Sequence, residues 1–410
     1  MKKCVLAFCV AFMPFGLQAS DQISNLRKSW KIINLDEAYA ENPTIDCSGI
    51  NLGIIDSVFN DALRSLYGKD NILINNSFDE NRTDKNGTRH GTHVAGIAIG
   101  KKLGEDDPHG IAYNGKYYGL GKNNPGYTYT GNLYEDIKDW DVKIINNSWE
   151  SPYYFPLINI TTNDYQPIQK DTSSINADYY FNTLLGHKLN NGKQHDTLHL
   201  IRLSKEKDIL NIWGAGNDGR ISPSAAAVAA SYDEELRAWL VVGALHADGF
   251  DIKQENGKKT LHIKTCENAN NNAFKGAALY AITAPGSRID SANAYFDKKD
   301  TLEGEVIAGM CSGGKQEEFC GMSGTSQATP MVSGAAMIVQ QKFVFLGGAQ
   351  LADVLLTTAN NDFEPPKLIL KYFGTGVLAN IIYVGGEIPK TKDGKIDEAQ
   401  VKRDLQAIGY

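Results

Sequence analysis

Gly324-Thr325-Ser326-Gln327-Ala328-Thr329-Pro330 is the stretch on which the reading of this chain turns. A serine between threonines opens a run, Thr329 to Gln341, that is small and apolar, so Ser326 is expected to begin a helix packed closely on a sheet. Alone the run says little, because Gly-Thr-Ser arises by chance in a chain with 40 glycines. Three earlier stretches change its meaning. Ile50-Asn51-Leu52-Gly53-Ile54-Ile55 reads as a buried strand and leaves Asp56 and Ser57 at its carboxyl end. His90-Gly91-Thr92-His93-Val94-Ala95-Gly96 leads into Ile99 with helical spacing, which puts His90 at or near a helix N-terminus. Ile209 to Trp213 reads as a strand running into the turn Gly214-Ala215-Gly216-Asn217-Asp218-Gly219. Asp141 to Asn147, ending at Ser148 and Trp149, and Leu240 to Ala244 read as two more strands. Strands alternating with helical stretches define an α/β protein with a parallel sheet, whose ligands gather beyond the carboxyl ends of the strands. Asp56, Ser148 and Asn217 all fall at such ends.

In chain order these stretches resemble the subtilisin-like serine proteases, the subtilases. The order Asp, His, Ser separates them from the chymotrypsin and α/β-hydrolase orders. Gly110 to Tyr118 is similar to the family's Gly-Val-Ala-Pro-Asn-Ala-Lys-Leu-Tyr segment, with Tyr113 in place of proline, and Ala284-Pro285-Gly286 is similar to its Ala-Pro-Gly turn. The resemblance implies a subtilisin-like α/β fold, a predominantly parallel sheet flanked by helices on both faces, with a catalytic domain over residues 46–385. Residues 151–208 and 248–275 look like variable insertions, the second polar and asparagine-rich and expected as an exposed loop. Gly374 to Leu378 is similar to the closing segment of the catalytic domain, and Leu351 to Asn360 resembles the helix that precedes it in bacterial autotransporter subtilases. Residues 386–410 are charged and read as a linker or a truncated C-terminal extension.

The same resemblance assigns roles. Ser326 is the nucleophile, His90 the base that takes its proton, and Asp56 the carboxylate that orients the imidazole and stabilises its charged form. The Asn217 amide, with the backbone N–H of Ser326, receives the oxyanion. Ser148, Trp149, Gly214, Ala215 and Gly216 are the expected substrate-binding residues. His93 is expected to be structural. Each residue alone has a plainer reading: Asp56 a helix cap, His90 a core histidine, Ser326 an N-cap. The family's Asp-Ser/Thr-Gly is here Asp56-Ser57-Val58, and a usual glycine after Asn147-Ser148-Trp149 is here Glu150. The reaction requires no cofactor. Structural calcium, which many subtilases bind, has no assigned residues; Asp84 to Gly87 and Asp393 to Asp397 lack enough spaced oxygens. His195 and His199 lack the glutamate of a zinc protease helix, so a surface helix is expected there.

The bulk numbers describe a globular protein able to bury a sizeable core. The 410 residues are 42% hydrophobic and 22% charged, with a net charge of −7, so no basic surface advertises nucleic acid; the resemblance implies protein or peptide substrates as partners. Lys2 and Lys3, the apolar run Cys4 to Leu17, and Leu17-Gln18-Ala19 read as a signal peptide over residues 1–19, followed by a short segment at 20–45. Export is the implied destination (periplasm, cell surface or extracellular space), with no membrane span in the mature chain. Cys47, Cys266, Cys311 and Cys320 then allow three pairings; the short 311–320 loop favours that pair and leaves Cys47 for Cys266, against free buried thiols. Two rival functions remain. An esterase is disfavoured by the missing Gly-x-Ser-x-Gly elbow, and a non-catalytic, adhesin-like passenger on a subtilase scaffold by the intact four-residue set.

Overall fold

The computed structural model describes residues 28–57, 59, 72–75, 90–102, 109–121, 132–150, 196–218, 223–245, 250–255, 258–263, 271–272, 274, 277–292, 319–359 and 363–364. Its centre is a seven-stranded sheet made of β1 (Asn51–Asp56), β2 (Ile72–Asn75), β3 (Lys116–Gly121), β4 (Ile144–Asn147), β5 (Leu210–Gly214), β6 (Trp239–Leu245) and β9 (Ala281–Pro285). The spatial order is β2-β3-β1-β4-β5-β6-β9, and every neighbouring pair is parallel.

The strands are apolar on both faces because both faces are covered. In β1, Leu52 and Ile54 join one core while Ile55 joins the other. In β6, Leu240, Val242 and Ala244 face the first core, and Trp239 and Val241 the second. Over the first face lie α2 (His90–Ile99), α5 (Thr325–Lys342) and α6 (Gly348–Thr358), following α1 (Leu35–Glu41) in the chain. Over the second lie α3 (Leu133–Ile137) and α4 (Asp196–Lys207), above Trp213 stacked on Trp239 at 5.3 Å between ring centres. This is the α/β architecture the sequence implied.

The N-terminal segment is part of that core. Trp30, Leu35 and Ile45 are buried in the first cluster, and the Tyr39 hydroxyl donates to the Ile111 carbonyl at 2.6 Å. Gln341, at the end of α5, accepts from the backbone N–H groups of Asp46 and Cys47 at 3.0 and 2.7 Å.

Two expectations change. Cys47 is a free thiol, buried in the first core, so the Cys47–Cys266 pair is not made. It serves as a small apolar side chain, and burial pushes its pKa up to about 12. The 248–275 stretch is not simply an exposed loop. It contains β7 (Phe250–Glu255) antiparallel to β8 (Lys258–Ile263), to which β12 (Phe363–Glu364) adds in parallel. The register pairs Glu255 with Lys258 and Phe250 with Ile263. The surface helix expected around His199 is α4, whose inner face carries Thr197, His199, Leu200, Leu203 and Ser204. Its outer face keeps the Arg202–Glu206 ion pair.

A second, antiparallel pair, β10 (Ile289–Ala292) with β11 (Phe319–Met322), delivers the chain to α5. The signal segment, the 311–320 pairing, the two calcium-like loops, His195 and the closing segment at 374–378 lie outside the described residues. Among the described residues no helix is long and apolar enough to cross a membrane.

Candidate active site

Asp56 is the last residue of β1 and His90 the first of α2, and the fold brings them together across the carboxyl edge of the sheet. His90 Nδ1 lies 2.8 Å from Asp56 Oδ1, with the histidine side chain 18% exposed and the aspartate 2%. The same carboxylate oxygen accepts the Ser57 N–H at 2.6 Å, and the Ser57 hydroxyl accepts the Gly91 N–H at 3.1 Å. The serine after Asp56 therefore ties the strand end to the first turn of α2, satisfying a helix N–H that has no partner within the helix. Burial alone lowers the His90 pKa, but the charge of Asp56 and its hydrogen bond outweigh it and hold the pKa above the usual histidine value. With Nδ1–H directed at the carboxylate, Nε2 is left as an acceptor.

Ser326 is the second residue of α5, half-buried. Pro330, four residues on, has no N–H to give to the Ser326 carbonyl. The Ser148 hydroxyl takes that place, donating to the Ser326 carbonyl at 3.1 Å, while the Ser326 hydroxyl donates to the Ser148 carbonyl at 3.3 Å. Ser148 is held in turn by the Asn146 amide at 3.0 Å, and Asn146 Oδ1 accepts from Ser333, two turns along α5, at 2.9 Å. A buried polar chain thus fixes the first turns of α5 to the end of β4.

The turn after β5 is fixed to the same helix. The Thr325 N–H donates to Asn217 Oδ1 at 2.9 Å, and the Gly216 N–H donates to Thr325 Oγ1 at 3.1 Å. Because the oxygen of the Asn217 amide is engaged, its NH₂ is turned away from Thr325 on an exposed side chain. Gly216 has φ +109° and Gly324 φ +153°, and a Cβ on Gly324 would stand 3.1 Å from Asn217 Oδ1, so both glycines are required. Asn272, inside the stretch expected as an exposed loop, is fully buried. It donates to the Ala215 carbonyl at 3.1 Å, accepts the Asp218 N–H at 3.0 Å, and gives its own N–H to the Gly216 carbonyl at 2.9 Å.

Asp56, His90, Ser148, Gly216, Asn217 and Ser326 therefore share one edge. Gly214 and Ala215 are buried beneath it, and Trp149 lays its ring edge-on to Trp213 at 4.8 Å. His93 is buried within α2. No hydrogen bond joins Ser326 to His90 among the described residues. The amide nitrogen of Gln327, a buried side chain, lies 3.4 Å from His90 Nε2 instead. Sequence reasoning assigned no role to Ser57, Asn146, Asn272 or Gln327, although Ser57 and Gln327 stood in the quoted motifs beside Asp56 and Ser326. Among the described residues no group of three or more His, Cys, Asp or Glu could hold a metal ion.

A parallel sheet carrying an Asp–His pair and a helix-initial serine at its carboxyl edge defines the subtilisin-like class. The profile of the Subtilase family (Peptidase_S8) matches residues 48–376, and the chain belongs to that family. It is 25% identical over 409 residues to an "Extracellular serine protease" of Serratia marcescens, covering 88% of this chain and 36% of that protein. "Serotype-specific antigen 1" of Mannheimia haemolytica is 23% identical over 245 residues, covering 59% of this chain and 20% of that protein. The chain thus spans about a third of the length of the first curated relatives it matches, 36% of each. Among solved structures, fervidolysin from Fervidobacterium pennivorans, described as a keratinolytic enzyme related to subtilisin, is 17% identical with a TM-score of 0.47, covering 80% of this chain and 40% of that one.

Proposed function

We propose that the chain is an exported serine endopeptidase of the subtilase type. The observation that carries this reading is the 2.8 Å contact of His90 Nδ1 with Asp56, which leaves Nε2 as an acceptor on the edge where Ser326 stands in the first turn of α5. In this reading Ser326 Oγ attacks the carbonyl carbon of a peptide bond and His90 Nε2 takes its proton. The tetrahedral oxyanion accepts hydrogen bonds from the Asn217 amide and the Ser326 N–H. His90 then returns the proton to the leaving amine, and water repeats the sequence on the acyl-enzyme. Asp56 keeps the imidazole in the tautomer this requires. Substrate binding along Ser148–Trp149 and Gly214–Gly216 sets the acyl side of the scissile bond.

In the resting arrangement Ser326 Oγ is bonded to the Ser148 carbonyl and the Gln327 amide faces the base. Both contacts are long, 3.3 and 3.4 Å, and in this reading they yield for Oγ to reach Nε2. The extracellular serine protease among the relatives supports proteolysis outside the cell, consistent with the signal segment read at residues 1–19.

The test is hydrolysis of unfolded casein and of a peptide library by the purified chain and by Ser326→Ala. The native chain is expected to cut within both, and the variant to fold equally well and cut neither. Wild-type-like cleavage by Ser326→Ala would overturn the assignment.

A further inference from the structure

We propose that Gln327 is a positioning residue for the base: at rest its buried side-chain amide occupies the lone pair of His90 Nε2, and the Ser326 hydroxyl must displace it before attack. The proposal rests on the protease reading above and names how that same site is held at rest. The helix dictates where the side chain goes. Side chains on a helix lean toward its N-terminus, so residue 327 covers the first turn of α5, where Ser326 stands. Gly324 leaves room for it. A Cβ on Gly324 would stand 3.2 Å from Gln327 Oε1 and 3.1 Å from Asn217 Oδ1, so the two amides share the space that the glycine leaves open. Gln327 is only 1% exposed, so its amide depends on protein partners.

Asp56 decides the polarity of the contact. It takes Nδ1–H at 2.8 Å, so Nε2 of the neutral ring carries a single lone pair, and the Gln327 amide nitrogen 3.4 Å away is a donor to it. The Ser326 hydroxyl meanwhile donates to the Ser148 carbonyl at 3.3 Å. One lone pair does not serve both an amide and a hydroxyl, so the resting and attacking arrangements exclude each other. The contact also depends on the charge of the ring. An imidazolium bears a proton on Nε2 and offers the amide nitrogen no acceptor, so Gln327 favours the neutral base. Burial acts in the same direction, and the Asp56 carboxylate at the end of β1 acts against both. Against the ring, α5 brings the neutral Ser326 and Gln327, and the other titratable residue of α2 is the buried His93.

The experiment reads the resting base directly. The histidine rings are labelled with nitrogen-15 and titrated by NMR between pH 5 and 9, with His90 assigned by its loss in His90→Ala. Gln327→Met keeps the length of the side chain without the donor, and Gln327→Glu puts a carboxylate in its place. The His90 midpoint is expected to rise by about half a pH unit in Gln327→Met, the threefold effect of one modest hydrogen bond, and by about one unit or more in Gln327→Glu. In the neutral ring of Gln327→Met the Nε2 signal should move toward that of an unbonded imidazole nitrogen. A fluorophosphonate should label Ser326 in the same variant about threefold faster than in the native chain at pH 9, because the hydroxyl no longer competes with an amide. An unchanged midpoint and Nε2 signal in Gln327→Met, labelling no faster than native, or a Gln327→Glu midpoint at or below the native one would overturn the proposal. The last of these decides alone if Gln327→Met does not fold. Absence of labelling in the native chain would count against the protease reading instead, and the NMR titration would still decide the role of Gln327.

Discussion

The two halves of the site are held by different means. On the base side, one strand end and one helix start meet through a single carboxylate: Asp56 Oδ1 takes both His90 Nδ1 and the Ser57 N–H. On the nucleophile side, neutral amides and hydroxyls do the holding. Asn217 and Ser148 bind the first turn of α5, Asn146 and Ser333 brace Ser148, and Asn272 stitches the turn after β5. The first half depends on one charge, so its loss acts on protonation. The second spreads its restraint over many bonds, so single losses should act on position and be smaller.

Breaking the base side should therefore have the largest effect. Asp56→Ala removes both the orientation of the imidazole and the stabilisation of its charged form, and kcat is expected to fall roughly 10⁴-fold, the order found for such aspartates in other serine proteases. A fall below tenfold would mean that His90 does not rely on Asp56. On the other side, Asn217→Ala should lower kcat by roughly 10²–10³ with KM nearly constant, a size taken from an oxyanion-hole asparagine in a subtilisin. An unchanged kcat would place the oxyanion elsewhere. Asn272→Ala should act mainly through the fold. It leaves the Ala215 carbonyl and the Asp218 N–H without their bonds, at a cost of about 2 kcal/mol and a Tm lower by several degrees, with the kcat loss smaller than that of Asn217→Ala. Calorimetry showing the native Tm would remove Asn272 from the scaffold of the turn.

The same contrast explains what was legible in the sequence. Strands β1, β4, β5 and β6 announce themselves because both faces are buried and each carries a short run rich in isoleucine, leucine, valine or tryptophan. Asp56, His90, Asn217 and Ser326 stand in motifs whose chain order is informative. Asn272 could not be seen this way. Its polarity reads as surface, yet it is buried because backbone groups of a distant turn satisfy it. Ser57 and Asn146 are hidden for the same reason: their partners lie on other elements. The face of α4 that carries Leu200 and Leu203 was masked by the polar stretch before it. Cys47 was misread because compartment was made to decide pairing, whereas its place in the first core makes it a packing residue. The Glu150 substitution was visible as a departure from the family, but its position over Gly216 required the fold.

The central claim is that Ser326 is activated by a neutral His90 whose pKa Asp56 has raised. Its most direct test is the rate at which a fluorophosphonate labels the protein between pH 5 and 9, with the labelled residue mapped by mass spectrometry. Charged His90 cannot accept the serine proton, so the rate should be low in acid and rise through one midpoint above the ordinary histidine value of 6.5. The label should sit on Ser326, and His90→Ala should abolish the rise. Labelling at another residue, or a rate on Ser326 that stays flat across this range, would contradict the account.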